Sequence, residues 1–437
     1  MKRLDAIPQS KLARASKFVK MGSQVGVNYA KYYGKRLFSD EGAAREQLHE
    51  DNAKDLYDGL SELKGSALKM LQMMSMDTHM LPEAYVEQFS LSQFSVPPLS
   101  APLVRLTIKK NLGKYPDEIF DKFEPESSFA ASIGQVHKAE KNGQKFAVKV
   151  QYPGVADSIS SDLKIVKPIA MRMFNIKKGD ADHFFKEVES KLLEETDYNI
   201  ERLQGEKVAL DAAIIPNLRF PKFFAEYSCE KVLTMEWMQG IHLSEFYKGN
   251  YDATLAHELS QTLWDFFMYQ LFYLKKVHAD PHPGNFLVDA DNHLIALDFG
   301  CMKSIPEDFH TPYLALLSKE SLDNKDVFVG LLEALEVYLP ADTAHQKEFI
   351  TELFHKLLYT LTLPFHQANF DFGDEAFFEN LGVIATELSQ NKELQKMNGA
   401  RGSEHFIYIN RTLFGLYNLM HNLKGGEIDI FHFRKYF

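Results

Sequence analysis

The sequence predicts an α+β chain of two lobes behind an N-terminal helical extension, with the second lobe mainly helical. Three observations carry that prediction. Gln135–Ala139 and Lys145–Val150 are strand-like runs flanking a turn at Lys141-Asn142-Gly143-Gln144, the pattern of a β-hairpin. From Leu243 onward the pattern is helical apart from one short hairpin. Upstream, Leu56, Leu60, Leu63, Ala67, Leu71 and Met74 recur at helical spacing until Pro82, Pro97-Pro98 and Pro102 punctuate the chain. The expected division is a basic arm over 1–40, a helical extension over 41–115, a first lobe over 116–240 and a helical second lobe over 241–437.

The arm stands out by charge. Residues 1–38 hold nine basic side chains against Asp5 alone, a local +8 in a chain of net −11, so the remainder carries −19. Leu12, Ala15, Phe18 and Val19 alternate with Lys11, Arg14, Lys17 and Lys20 as in a basic amphipathic helix. A helix docked on the acidic body or solvated beside it is one reading, attachment to an anionic membrane surface another, a cleaved targeting peptide a third. Strand signals follow near 122–150, helical ones around 182–209 and strands again near 219–238. No internal repeat points to a solenoid.

Bulk composition narrows the classes. With 437 residues, 45% of them hydrophobic and 25% charged, the chain can bury a sizeable core. The acidic balance and pI near 5.8 argue against a general nucleic-acid partner. Cys229 and Cys301 are too few and too far apart for a disulfide framework or a zinc site. The most apolar helical stretch, Leu263–Leu274, is interrupted by Asp265 and Gln270, so no spanning helix is expected. A cytoplasmic chain, soluble or peripherally bound to membrane, is the expectation; oligomeric state leaves no sequence signal.

The chemistry concentrates in His278-Ala279-Asp280-Pro281-His282-Pro283-Gly284-Asn285. An Asn follows Asp280 by five residues, and Asp298-Phe299-Gly300 begins 13 residues beyond it, which are kinase-like offsets. Phosphoryl transfer needs oxygen ligands for the metal that neutralises nucleotide phosphates and a further carboxylate to orient the attacking hydroxyl or water. Asn285 and Asp298 suit the first task and Asp280 the second. Two other readings exist: Asp-Pro and Gly-Asn are common turn dipeptides, and His278, Asp280 and His282 could form a metal cluster, which leaves Asn285 and Asp298 unexplained.

Upstream residues fall in the same order. Lys149, in Phe146-Ala147-Val148-Lys149, stands where a strand Lys grips the α- and β-phosphates, with Glu194, Glu195, Asp197 and Glu201 competing as its partner. Val232–Gly240 reads as an adenine-binding hinge, with Glu236 and Met238 at the base, or as a plain core strand. The phosphate-covering position is held by Phe129–His137, where Gly134 is the single glycine and Ala130, Ala131 and Ser132 take the places facing phosphate; the added methyl groups restrict φ and change how the backbone approaches phosphates.

With these motifs in order, the sequence resembles the UbiB family of atypical kinases, also called AarF or ADCK proteins, from roughly residue 55 to 305. The resemblance rests on Phe129–His137, on Ala147–Gly154, on Glu195-Thr196-Asp197-Tyr198, and on His278–Asn285 with Asp298-Phe299-Gly300. It implies ATP and Mg2+ as cofactors, with Mn2+ as an alternative ion, and an extension bearing a Lys-x-Gly-Gln motif folded over the active site. Here that motif is Lys69-Met70-Leu71-Gln72, with Leu71 in place of glycine, and Phe129 replaces the usual first alanine of the Ala-rich motif. Glu195 and Asp197 are then the acidic pair facing the extension, and Glu201 the better partner for Lys149. The resemblance further implies a role in isoprenoid quinone or other prenyl-lipid metabolism, with lipid-linked ATPase activity.

Beyond Gly300 the chain runs through Lys303-Ser304-Ile305-Pro306 directly into a helical pattern, without an Ala-Pro-Glu segment or a long activation loop, so a peptide-docking platform is missing. Small-molecule kinases share the Asp-x-His-Pro-x-Asn loop of Asp280–Asn285. The sequence thus supports an ATP-hydrolysing UbiB-like protein first, a phosphotransferase for a small molecule or lipid second, and a nucleotide-binding regulatory scaffold third. The aromatic and basic end, Phe431–Phe437, fits either interfacial contact or a packed terminal element.

Overall fold

In the N-terminal region a basic helix lies on an acidic one. The computed structural model describes residues 11–35, 41–63, 98–131, 133–173, 178–249, 251–391, 393 and 401–436. Helix α1 (Lys11–Lys35) packs along α2 (Glu41–Leu63), and the fit is close at Gly59, where a Cβ would meet Met21 Sδ at 2.3 Å. Asn28 Nδ2 donates to Asn52 Oδ1 at 3.1 Å and to Asp55 Oδ2 at 2.8 Å, so the contact is polar as well as apolar. The described part of the basic arm, Lys11–Lys35, therefore lies along an acidic helix, while Lys20 and Lys31 stay exposed. Lys69, Gln72 and Ser132, and the periodic positions Ala67, Leu71 and Met74, lie outside the described residues.

Two compact units divide the chain: residues 1–202 with 223–237, and residues 203–222 with 238–437. In the first, helix α3 (Ala101–Leu112) packs on a sheet of β1 (Lys122–Phe123), β2 (Phe129–Ala130), β3 (Gly134–Lys141) and β4 (Gln144–Gln151). Strand β5 (Leu218–Arg219) belongs to the second unit, and β6 (Val232–Glu236) completes the sheet in the order β1-β3-β4-β6, with β2 also on β3. The β3–β4 turn has the two residues the sequence predicts: Asn142 and Gly143 both take positive φ, 51° and 78°, the twist that suits a two-residue hairpin. Strand β3 alternates buried and half-buried residues, whereas Phe146–Gln151 of β4 is buried on both faces.

Three helices follow β4: α4 (Val155–Met173), α5 (Lys178–Glu195) and α6 (Tyr198–Asp211). The helical signal at 182–209 thus splits in two. Asp197 causes the break, since its Oδ1 accepts from Asn199 N at 2.9 Å and caps α6. Helix α4, which the sequence reading leaves blank, buries Ile159, Leu163 and Val166 at helical spacing.

The second unit is built on α7 (Ala253–Tyr269), whose Trp264 is fully buried and donates Nε1–H to Ile430 O at 2.9 Å. A π-turn, Gln270–Leu274, extends it and ends at Lys275 with φ 48°. The sheet order is β5-β10-β9-β7, using β7 (Ile241–His242), β9 (Phe286–Val288) and β10 (Leu294–Ala296); β5 runs parallel to β10, which is why residues 203–222 join this unit although the sequence places them in the first lobe. One hairpin is expected beyond Leu243. The structure adds β8 (Lys276–His278) with β11 (Met302–Ser304), and β12 (Asn369–Asp371) with β13 (Glu427–Asp429). Strands of three residues are too short to show a period of two. Helices α8 (Glu307–Leu316), α9 (Lys325–Ala334), α10 (Ala344–Leu361), α11 (Glu375–Gln390) and α12 (Glu404–Leu423) supply most of the rest. The chain's aromatic end packs inward: Phe433 is buried, and buried Asp265 accepts from His432 Nδ1 at 2.5 Å and Tyr436 Oη at 3.3 Å. No helix among the described residues is long and apolar enough to cross a membrane.

Candidate functional site

In the first unit the charged chemistry sits on the central strand. Lys149 projects from β4, and its Nζ donates to Glu201 Oε1 at 2.8 Å and Oε2 at 2.9 Å, with the Tyr198 ring 5.1 Å away. The side chains are 10% and 6% exposed, so each charge depends on the other for its solvation. Four carboxylates compete for Lys149 in the sequence, and the fold selects Glu201. Glu194 and Glu195 end α5, Asp197 is the cap of α6, and Glu201 falls one turn into α6.

The Ala-rich segment forms a tight turn: Ala131 N donates to Gly134 O at 2.9 Å, and Gly134 N to Ala131 O at 3.4 Å. Ala130 is exposed and Ala131 half-buried. A Cβ on Gly134 would sit 2.6 Å from Val150 O and 2.7 Å from Tyr198 Oη, so this lone glycine serves close backbone packing. Beneath it, Leu99 N donates to Gln135 Oε1 at 2.8 Å, Gln135 Nε2 to His137 Nε2 at 2.8 Å, and His137 Nδ1–H to Glu124 O at 2.9 Å. Burial holds the His137 pKa below its ordinary 6.5, in keeping with a neutral ring. Glu236 ends β6 opposite Phe146, Trp237 N donates to Lys145 O at 3.1 Å, and Met238 begins the second unit half-buried.

The second unit holds its polar groups on short loops. Strand β8 delivers His278, paired with Met302 of β11, and Ala279 N donates to Cys301 O at 2.8 Å, which ties the two loops together at their start. His278 Nε2–H donates to Asp298 O at 2.7 Å, leaving Nδ1 to accept from Asp280 N at 3.3 Å. One histidine thereby fixes the backbone of both acidic residues. A 3-10 turn, Pro283–Asn285, follows, with His282 Nδ1 accepting from Gly284 N at 3.0 Å. Asn285 Nδ2 donates to Asp280 O at 3.0 Å, Leu297 N donates to Asn285 O at 2.9 Å, and Asp298 Oδ1 accepts from Gly300 N at 2.9 Å. Phe299 is fully buried against Phe220 and His278, at ring separations of 6.0 and 6.3 Å.

The cluster reading of His278, Asp280 and His282 does not hold, because their ligand atoms do not come within 4.8 Å of one another. Asp289, Asp291 and His293 do, but as turn structure. Asp289 Oδ1 accepts from Asp291 N and His293 N, and His293 spends both ring nitrogens, on Asp289 Oδ2 and Arg219 Nη2. The fold also adds a residue the sequence reading missed. A Cβ on Gly415 of α12 would lie 2.4 Å from Pro281 Cγ, so the helix presses directly on the loop bearing Asp280. An isolated glycine inside a helical pattern is the signal that could have found it.

Comparison with known proteins agrees with this architecture. A chloroplastic aarF domain-containing protein kinase of Arabidopsis thaliana is 34% identical over 71% of this chain and 45% of its own length. The mitochondrial atypical kinase COQ8 of Saccharomyces cerevisiae is 27% identical over 87% of this chain and 78% of its own. The chain thus spans less than half of the plant relative. Among solved structures, Rv3197 of Mycobacterium tuberculosis, determined with erythromycin, shares the fold with a TM-score of 0.60 at 23% identity, over 91% of this chain and 98% of that one. The ABC1 atypical kinase-like domain matches residues 91–328, more than half of the sequence. The chain therefore belongs to the ABC1 atypical kinase-like family, the AarF and UbiB group that its motifs resemble.

Proposed function

We propose that this chain is a UbiB-like atypical kinase that binds ATP with Mg2+ and hydrolyses it, in support of isoprenoid quinone or other prenyl-lipid metabolism at a membrane surface. The observation that carries the reading is the buried Lys149–Glu201 pair, a strand lysine held by a helix carboxylate; the Asp280, Asn285 and Asp298 loops, within their own unit, support it. The donor set fits a hard cation: Asn285 commits its NH2 to Asp280 O, so its amide oxygen is the atom that would serve as a ligand, and Asp298 adds a carboxylate. Bound there, Mg2+ or Mn2+ would neutralise phosphate oxygens. Glu201 holds the Lys149 ammonium in place for the α- and β-phosphates, Asp280 orients the attacking water or hydroxyl, and Glu236 and Met238 receive the base. The family resemblance assigns Ala130, Ala131 and Ser132 to the phosphates, and Lys69 and Gln72, with Glu195 and Asp197, to control of access. The quinone and lipid side of the reading rests on the family resemblance.

A second reading, transfer of phosphate to a small molecule or lipid, is favoured by one observation: β11 ends at Ser304 and α8 starts at Glu307, leaving no peptide platform after Gly300. ATP binding and turnover, measured with and without anionic vesicles carrying quinone-like lipids, test both. The wild-type chain should bind ATP in the presence of Mg2+, and Asp298→Asn should lower turnover on the order of a hundredfold. Absence of wild-type binding, or unchanged binding and turnover in Asp298→Asn, defeats the proposal. A phosphorylated product that disappears in Asp280→Asn promotes the second reading. Vesicle flotation that survives deletion of residues 1–38 removes the arm from the membrane role.

A further inference from the structure

Antiparallel partners project side chains to one face of a sheet, so the register of the first unit states which residues share a face with Lys149. Phe129, Val136, Lys149 and Leu233 make one row across β2, β3, β4 and β6, and Lys138, Ala147 and Met235 make the next. Trp237 lies two residues beyond Met235. Strands β2 and β6 are separated by β3 and β4, about 14 Å at ordinary strand spacing. Yet the rings of Phe129 and Trp237 stack, with centroids 6.0 Å apart and planes 26° apart, and Lys138 Nζ lies 5.0 Å from the centre of the Trp237 ring. The two side chains thus reach toward each other along the face that carries Val136, Lys138 and Ala147. Phe129 remains 46% exposed despite the stack, so part of its ring is open to solvent on that face.

We propose that the stacked pair Phe129–Trp237 is a specificity-determining wall of the nucleotide site, a planar apolar surface against which a purine base is held on the Lys149 face. The inference rests on the nucleotide-binding reading above and adds the residues that choose the base. It also gives the phenylalanine at position 129, where the family motif has alanine, a chemical task. Lys138 already lies against the Trp237 ring, so the exposed Phe129 ring is the part of the wall that meets the base.

The chain supplies its own probe. Trp237 and Trp264 are the two tryptophans, and Trp264 is fully buried in the second unit, so the acrylamide-sensitive emission belongs to Trp237. The 437-residue chain is titrated with Mg-ATP and with Mg-CTP, following that emission and, independently, the heat of binding. Mg-ATP should shield Trp237 from acrylamide. Phe129→Ala should weaken Mg-ATP binding about three- to tenfold, reduce the preference for ATP over CTP and raise KM with kcat within about twofold, whereas Phe129→Tyr should restore all three. Phe129→Leu keeps the bulk without the aromatic face and should behave as Phe129→Ala does, which covers the case where the smaller side chain fails to fold. If Phe129→Ala and Phe129→Leu bind ATP as tightly and as selectively as wild type, the wall is packing alone and the inference is overturned while nucleotide binding stands. If wild type shows no heat of binding with Mg-ATP, the nucleotide reading falls, and this inference with it.

Discussion

The two units hold their charged groups by opposite means. In the first, Lys149 and Glu201 come from a strand and a helix 52 residues apart and solvate each other in a nearly closed environment. In the second, Asp280, Asn285 and Asp298 are fixed locally, by His278, Gly300 and one another's backbone. The first arrangement couples chemistry to stability; the second separates them. Glu201→Ala should therefore show the largest effect on folding, about 3–5 kcal/mol lost in urea unfolding, because it strands the Lys149 ammonium. Replacing both partners, Lys149→Met with Glu201→Leu, should recover most of that loss while activity stays absent. Asp298→Asn should cost under about 1 kcal/mol, since an amide oxygen still accepts from Gly300 N. Equal destabilisation by Glu201→Ala and Asp298→Asn would erase the contrast.

Glycines sharpen the same comparison at intermediate magnitude. Gly134→Ala drives a methyl into Val150 O and Tyr198 Oη, and Gly415→Ala drives one into the Pro281 ring; neither glycine has a positive φ, so the cost is steric. Each should lose about 1–3 kcal/mol of stability. The functional consequences differ. Gly415→Ala pushes on the loop holding Asp280, so kcat should fall further than the stability loss explains, with KM for ATP little changed. Gly134→Ala displaces the turn expected over the phosphates, so KM should rise. Measuring both constants at a temperature where each variant remains folded separates the two outcomes.

The same local-versus-distant difference governs what the sequence can tell. The second unit's candidate site is legible because its groups lie within 21 residues and their spacing is itself the signal, from His278 to Asp298. The partner of Lys149 is not fixed by spacing: Glu194, Glu195, Asp197 and Glu201 all fall on one helical stretch, and only the cap at Asp197, which breaks that stretch, decides which carboxylate reaches β4. Gly134 reads as a remnant of a phosphate loop until Val150 O is seen against it. Strand pairs β8–β11 and β12–β13, the latter joining segments 56 residues apart, leave no periodicity to read, because three residues specify pairing through their neighbours rather than their own pattern. The Phe129–Trp237 contact is likewise invisible in sequence, since it depends on the path of two edges of one sheet.

The smallest expected effect is a pH slope that also differs between the units. His137 sits in the first, donating Nδ1–H to Glu124 O, accepting at Nε2 from Gln135, and stacked on Phe123 at 5.1 Å; burial lowers its pKa from 6.5. His366, in the second, is lowered by burial and by the nearby Lys319. For each, the unfolded chain takes up a proton below pH 6.5 that the folded chain refuses. Stability should hence be flat above that value and fall as pH drops toward the folded-state pKa, by at most about 1.4 kcal/mol per pH unit for His137 and by clearly less for the partly exposed His366, whose charge solvent screens. Trp237 reports unfolding of the first unit and Trp264 of the second. His137→Gln should flatten the acid-side slope seen by Trp237 and leave the one seen by Trp264, which His366→Gln should flatten in turn. A slope that either variant removes from both probes would mean the units unfold as one, and the contrast in how they hold their charges would then have no separate energetic expression.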